Sequence, residues 1–469
     1  MDILERLVKN VIKTDYKDLP EDTIKITKLA ILDTIGCMMA GFEAPGCFPL
    51  REQVLEWGGK KESTIMIYGD RVPCPNAAFV NSTMARALDF DTTWARGIHM
   101  SAASVPTAMA AAEMCQGVNG KDFLTAIIAA EDLAARIHFS TSDYNGFEPT
   151  GVCGILGVAA IAGKILGFDE RQMLDALAIA FNRAAGSYQP NIDGALMIRV
   201  IEGLTSRSGV ESALLAKKGV TGGENTLQGI YGFFHLFSND KYDMKILTDK
   251  LGKEFLGATE TNFKKYPACG GTATAIDATL QLISEKNIKP EDVDEITVDV
   301  TRFFHNMLGN PFKIGTNPQG NAQFSYQYTV ANALVRGRFG IEDIMPEMIR
   351  DPQVLRIAEK VHPRVNDDLV KESLGATIVR ILTKEGREYS KKVNYRRGSK
   401  QVPMSREEII DKFLYCAGFS RARLPEGTSK RMIRMIDELE RVKDMEELIS
   451  LLPTLPSPSR GMGRARVEV

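Results

Sequence analysis

The chain has 469 residues, 44% of them hydrophobic, and its 58 Lys and Arg against 60 Asp and Glu leave a formal charge of −2. That length favours two domains over one, and so even a charge balance speaks against a nucleic-acid or other polyanion surface and for a small-molecule ligand. Seven cysteines, at 37, 47, 74, 115, 153, 269 and 416, stand singly with no Cys-x-x-Cys pair, a pattern of reduced thiols that offers no zinc or iron–sulfur ligation.

The N-terminal segment MDILERLVKNVIKTDYKD alternates charged and apolar residues as an amphipathic helix does, and it lacks the unbroken apolar core of a secretion signal. No run reaches the length that crosses a bilayer, so a soluble protein is expected, and the single reduced thiols fit a cytoplasmic one. From Leu19, LPEDTIKITKLAILDTIGCMMAGF reads as a core helix. Pro20 lies in its first turn, acids follow, Gly41 stands near its end, and Ile24, Ile26, Leu29, Ile31, Leu32 and Ile35 cover more than one face. Residues 55–75 are punctuated by Gly and Pro around a short apolar run, Thr64 to Tyr68, that fits a small strand or a loop.

Residues 81–99, NSTMARALDFDTTWARGIH, carry the densest chemistry. They set Arg86, Asp89, Asp91, Thr92, Thr93, Arg96 and His99 beside Leu88, Phe90 and Trp94, a mixture that suits a helix end opening into a pocket. Apolar walls disfavour a charged form and a nearby opposite charge favours it, so such a setting shifts pKa values. His99 stands where a turn hands over to an Ala-rich helix, and a neutral imidazole there can take a proton near pH 7. The plainer alternative is a buried histidine satisfied by one hydrogen bond.

Small-residue helices follow from residue 104 and over Gly120 to Phe139; in the second, Ala129, Ala130, Leu133, Ala134 and Ile137 keep helical spacing, and Glu131 and Arg136 read as an exposed or paired face. The break at residues 145–151 suits a ligand-facing loop or a plain connector. Helical patterns continue over 176–185 and 197–218, where Arg199 among apolar neighbours asks for an anion or carboxylate partner. Residues 219–237 are glycine-punctuated, but no GK[ST] follows, so this is not a phosphate loop. Beyond about residue 260 the texture changes. KKYPACGGTATAIDATLQLI runs into a helix, DVDEITVDVTRFF alternates as a half-buried strand does, FSYQYTVANALV is a helix with a polar start, and ATIVRILTKEGREYSKKVNY is a hairpin turning at residues 384–387. Ser405 and Glu408 form a capping-box pattern that restarts helices until about Leu452, and the tail 456–469 reads as disordered. The expected fold is mainly α: a large all-helical domain made of residues 1–262 and 400–469, and a smaller α+β domain over 263–399.

Taken in order, these segments resemble the MmgE/PrpD family of 2-methylcitrate dehydratases, cis-aconitate decarboxylases and iminodisuccinate epimerases. ILDTIGCMMAGF resembles the family's N-terminal core helix, and ALDFDTTW followed by His99 resembles its DFDDT…H active-site motif. ESALLAKKGVTGGENTLQGIYGFF, KKYPACGGTATAIDA and NAQFSYQYTVANAL are similar to its later signatures, so the likeness runs over nearly the whole chain. The resemblance implies a homodimer, a helical domain built from both chain ends, an inserted α+β domain with a cleft between the two, and neither metal nor organic cofactor.

On that footing His99 is the candidate base or acid, Asp89 orients it, Thr93 contacts substrate, and Tyr144 or Glu148 is the second proton carrier. Lys264 is the anion contact, and with Arg86 and Arg199 it would clamp a dicarboxylate. The chain also departs from the family: dehydratases and decarboxylases commonly carry His where it has Arg86, Glu148, Ile201 and Ala273, and Lys where it has Ile198. These losses bear on a citrate-type substrate rather than on the pocket. The expected activity is that of a lyase or isomerase, 2-methylcitrate dehydratase-like, that abstracts a proton α to a carboxylate of a small di- or tricarboxylate. The alternatives are an epimerase of an iminodisuccinate-like dicarboxylate and a carboxylate-binding protein without catalysis.

Overall fold

The computed structural model of the chain describes residues 2–142 and 146–455; the expectations for Tyr144 and for the tail 456–469 lie outside the described residues. The chain is mainly helical, with a smaller α+β part. The helix Glu21–Gly41 starts directly after Pro20, carries Glu21 and Asp22 in its first turn, and is buried from Ala30 to its end. At the centre stands the helix Cys74–Arg86, every residue of which is buried. The helices Glu21–Gly41, Met100–Cys115 and Met197–Lys217 pack around it. A Cβ on Gly203 would lie 2.2 Å from Thr83 Oγ1 and 2.5 Å from Phe79 O, so the third of these comes closer than any side chain would permit. The Ala-rich helix Met100–Cys115 is buried from Met100 to Ala112, because small residues on every face let neighbours pack all round.

In the helix Gly120–Ser140, Glu131 and Arg136 are paired as expected but not exposed. Arg136 bonds Asp132 at 2.8 Å and donates to the carbonyls of Ile246, Asp249 and Glu254, while Glu131 accepts from Ser104. The helix Arg406–Phe419, opened by the Ser405–Glu408 capping box, returns to pack along Glu21–Gly41. Both chain ends therefore contribute to one helical body.

The run after Thr64 divides between strand β1, Ser63–Ile65, and the turn leading to its antiparallel partner β2, Asp70–Val72. A four-stranded sheet is made of β3 Val293–Val300, β4 Val361–Val365, β5 Thr377–Thr383 and β6 Glu388–Val393 in the order β4-β3-β5-β6. Strand β3 and the β5–β6 hairpin follow their alternation; in β5 Thr377, Val379, Ile381 and Thr383 are buried, and the helix Ala273–Lys286 packs on β5 and β6. Strand β4 escapes a reading of sequence because VHPRV holds Pro363, which breaks the strand pattern. As an edge strand, parallel to β3, it has an unpaired side where a missing N–H is tolerated. Among the described residues no helix is long and apolar enough to cross a membrane.

Candidate active site

The central helix ends at Arg86 and the chain turns away through Asp89, whose φ of +49° lies in the left-handed region that few residues other than glycine adopt. Three consecutive carbonyls of this turn each accept from a buried side chain far away in sequence. Gln323 Nε2 donates to Leu88 O, Lys264 Nζ to Asp89 O at 3.0 Å, and Lys412 Nζ to Phe90 O at 2.6 Å. Lys412 is itself held by Asp33 at 2.7 Å and lies 4.0 Å over the Phe90 ring. Such contacts can sustain a backbone conformation that costs about 1–3 kcal/mol on its own. Just beyond, Thr93 and Asn262 exchange backbone hydrogen bonds, and Phe263 N–H donates to Gly398 O. Residues 89–94 are thereby joined to the segments on either side of the sheet-bearing part.

His99 sits at the start of the helix Met100–Cys115. Its backbone N–H donates to Thr150 Oγ1 at 3.0 Å, and that hydroxyl donates to Glu148 Oε1 at 2.8 Å. The ring Nδ1 lies 2.8 Å from Asp91 Oδ2, while Nε2 is 3.7 Å from Asp89 Oδ1. An Nδ1–H given to a carboxylate leaves Nε2 with its lone pair free, the form that accepts a proton. Burial, reinforced by the positive charges of Arg86 and Lys264, pushes the His99 pKa well below its usual value, so the ring is neutral at pH 7.

The carboxylate that bonds the His99 ring is thus Asp91, whereas Asp89, expected there, lies 3.7 Å from Nε2. Arg86 Nη1, at 2.6 Å, and Lys264 Nζ, at 2.7 Å, draw the Asp89 carboxylate to themselves. Burial alone would raise the Asp89 pKa, but Arg86 and Lys264 hold it below the usual carboxylate range. Burial raises Asp91 and, more strongly, Glu202, the second partner of Arg86 at 3.1 Å.

Two further expected site residues, Glu148 and Arg199, are engaged by other partners. Glu148 is no free proton carrier: Oε1 accepts from the backbone and hydroxyl of Thr150 and Oε2 from Gly151 N–H at 2.6 Å. It anchors His99 through Thr150 instead. Arg199 has no carboxylate within 4 Å among the described residues; it donates to Pro45 O and Gln319 Oε1, each at 3.1 Å, and burial pushes its pKa down to about 10. Neither residue lines the cavity that Arg86, Asp89, Thr93, His99 and Lys264 share. That cavity, of about 220 Å³, brings in a residue that sequence reasoning missed, Arg396. Its Nη2 donates to Thr93 Oγ1 at 2.8 Å, and no carboxylate of the described residues lies within 4 Å of it. The only sequence signal was the pair Arg396–Arg397 after the hairpin, and its second member turns away to Glu408.

Asp89, Asp91 and His99 each present one atom within 4.8 Å of the others, a spacing that could gather a metal ion. Here Arg86 and Lys264 already bind Asp89, so a dication would meet two positive charges at its first ligand. The arrangement is better suited to a carboxylate anion beside a neutral base.

Residues 5–245 match the MmgE/PrpD N-terminal domain, and residues 266–441 match the MmgE/PrpD C-terminal domain. The chain is similar to the cis-aconitate decarboxylase of Homo sapiens, 27% identical over 457 residues that cover 94% of this chain and 92% of that protein. It is similar also to the mitochondrial 2-methylcitrate dehydratase of Yarrowia lipolytica, at 24% identity over 93% of this chain and 88% of that one. The 2-methylcitrate dehydratase of Escherichia coli is 24% identical over 71% of each chain.

Proposed function

Because the chain belongs to the MmgE/PrpD family, we propose that it is a lyase that removes the proton α to a carboxylate of a small di- or tricarboxylate, with His99 as the base. The observation that carries this reading is the neutral His99 ring, set by Asp91 and facing a cavity that it shares with Lys264, Arg86 and Arg396. An α-proton becomes removable when the charge it leaves on the carboxylate is stabilised as an enediolate, the task of a cation held beside it. Arg396, whose charge no carboxylate of the described residues takes up, is the strongest candidate for that contact, and Lys264 supports it. His99 Nε2 takes the proton, the C–H electron pair stays on the substrate as the enediolate, and the hydroxyl on the neighbouring carbon departs as water with the proton that the imidazolium returns, to leave a C=C bond. Asp91 and Asp89 then offset the charge of the imidazolium.

Dehydration, named for two of the relatives above, is such an elimination; decarboxylation, named for the other, releases CO2 and adds a proton to the carbon left behind, so there a protonated His99 would act as the acid. Epimerisation needs a second proton carrier on the opposite face; Glu148 is bound by Thr150 and Gly151, which leaves that role to Tyr144, outside the described residues. The same reading takes the protein as a homodimer. Ile230 and Tyr231, 80% and 75% exposed, are apolar surface that such an interface would cover, and light scattering of the purified protein checks it.

Proton NMR in deuterated water with 2-methylcitrate, citrate, cis-aconitate and related dicarboxylates tests the chemistry. The expected result is loss of an α-proton signal with a new vinylic product. Deuterium exchange without a product would turn the reading to epimerisation, and neither exchange nor product across the panel would contradict both.

A further inference from the structure

The cavity has two unlike walls, and Gly270 and Gly271 lie where they meet. A Cβ on Gly270 would stand 1.9 Å from Arg396 Nη1, and one on Gly271 would stand 2.4 Å from Phe304 Cδ1. Bare backbone at two successive residues therefore seats a guanidinium on one and an aromatic ring on the next. The polar wall is made by Arg396, Lys264, His99 and Asp89; the other is made by Phe303, Phe304 and Met307 of the helix Arg302–Leu308, with Phe324. All four residues of that second wall are partly exposed, although Phe304, Met307 and Phe324 also rest against the core. The Phe303 and Phe304 rings meet edge to face at 5.1 Å, which gives the wall a fixed shape.

A compact polycarboxylate such as citrate matches only half of this cavity. Its ionised groups gain nothing from the aromatic side and lose hydration there. We propose that the substrate is amphiphilic: a polycarboxylate bearing an alkyl or aryl substituent larger than methyl, one carboxylate on Arg396 and the substituent against Phe303, Phe304, Met307 and Phe324. This rests on the polycarboxylate reading of the site given above. Phe304 is then a specificity-determining residue, and Gly271 leaves it room.

Isothermal titration of the wild-type protein with succinate and its 2-methyl, 2-propyl, 2-butyl and 2-benzyl derivatives tests the inference separately from the chemistry. Affinity should rise about fourfold per added methylene from methyl to butyl, as roughly 0.8 kcal/mol per buried CH₂ implies. Phe304→Ala should flatten that series, and Arg396→Met should weaken every member of it. A wild-type series that is flat, falls with chain length, or shows no binding at all would overturn the inference. A rising series with neither deuterium exchange nor a vinylic product from the matching 2-alkylcitrates would uphold the amphiphilic site and sink the lyase reading instead.

Discussion

Two of the buried ion pairs among the described residues, both Arg–Asp pairs within or at the end of a helix, are treated oppositely. Arg136 and Asp132 are spaced i,i+4 and Arg86 and Asp89 i,i+3, and all four side chains are no more than 3% exposed. In the first pair each polar group is used. Arg136 serves Asp132 and three carbonyls between residues 246 and 254, and Asp132 Oδ1 accepts from Leu256 N–H. In the second cluster Asp89 Oδ2, Asp91 Oδ1 and Glu202 Oε2 have no hydrogen-bond partner among the described residues. A saturated network ties segments together, whereas buried carboxylate oxygens without partners forgo stability and mark a place kept for chemistry.

The largest effect expected from this contrast is on stability. Arg136→Met leaves Asp132 as a buried, unpaired charge and should lower the unfolding free energy by about 3–5 kcal/mol. Arg86→Met should cost less, since Lys264 still holds Asp89. Denaturant melts of the two variants that gave equal losses would break the comparison.

Next to the saturated pair, Glu131 accepts from Ser104, and burial raises its pKa from 4.5 to about 7. Below pH 4.5 both folded and unfolded forms are protonated; between 4.5 and 7 the folded form holds more protons, so stability falls as pH rises and stays low above 7. At 1.36 kcal/mol per pKa unit the loss is about 3 kcal/mol. Glu131→Gln should remove that slope between urea melts at pH 5 and pH 8, and an unchanged slope would assign the titration elsewhere.

The smallest effect concerns the other cluster. Lys412 touches no part of the cavity wall but holds Phe90 O, between Asp89 and Asp91. Lys412→Met, paired with Asp33→Asn so that no lone buried charge remains, should lower kcat roughly ten- to a hundredfold through misplacement of the turn. KM should change little. A parallel loss in KM, with kcat preserved, would deny Lys412 a positioning role.

Much of the fold was legible because its signals are local: Pro20 before a helix, the Ser405–Glu408 capping box, the alternation of β3 and the β5–β6 hairpin. In the site, Arg86, Asp89, Thr93 and His99 stand within one short segment and announce themselves, and Lys264 falls in a motif. Their partners do not. The exchange of Asp91 for Asp89 at His99 follows from the turn at Asp89, which nothing in Asp-Phe-Asp dictates. Arg199 and Glu148 invited charged or catalytic roles by residue type, but a carbonyl 154 positions away and a hydroxyl two residues away decide what they do. Arg396 and Lys412 reach partners 303 and 322 positions distant, a distance that only the packing of the later segments of the chain against residues 89–94 closes.

The central claim is that neutral His99, set by Asp91, takes the α-proton. The most direct test is the rate of solvent-deuterium incorporation at the substrate α-carbon by wild type and His99→Gln, with ligand-induced thermal stabilisation measured alongside. The account predicts that exchange falls by about 10²- to 10⁴-fold while ligand still stabilises the variant. An exchange rate that is unchanged in His99→Gln would contradict it.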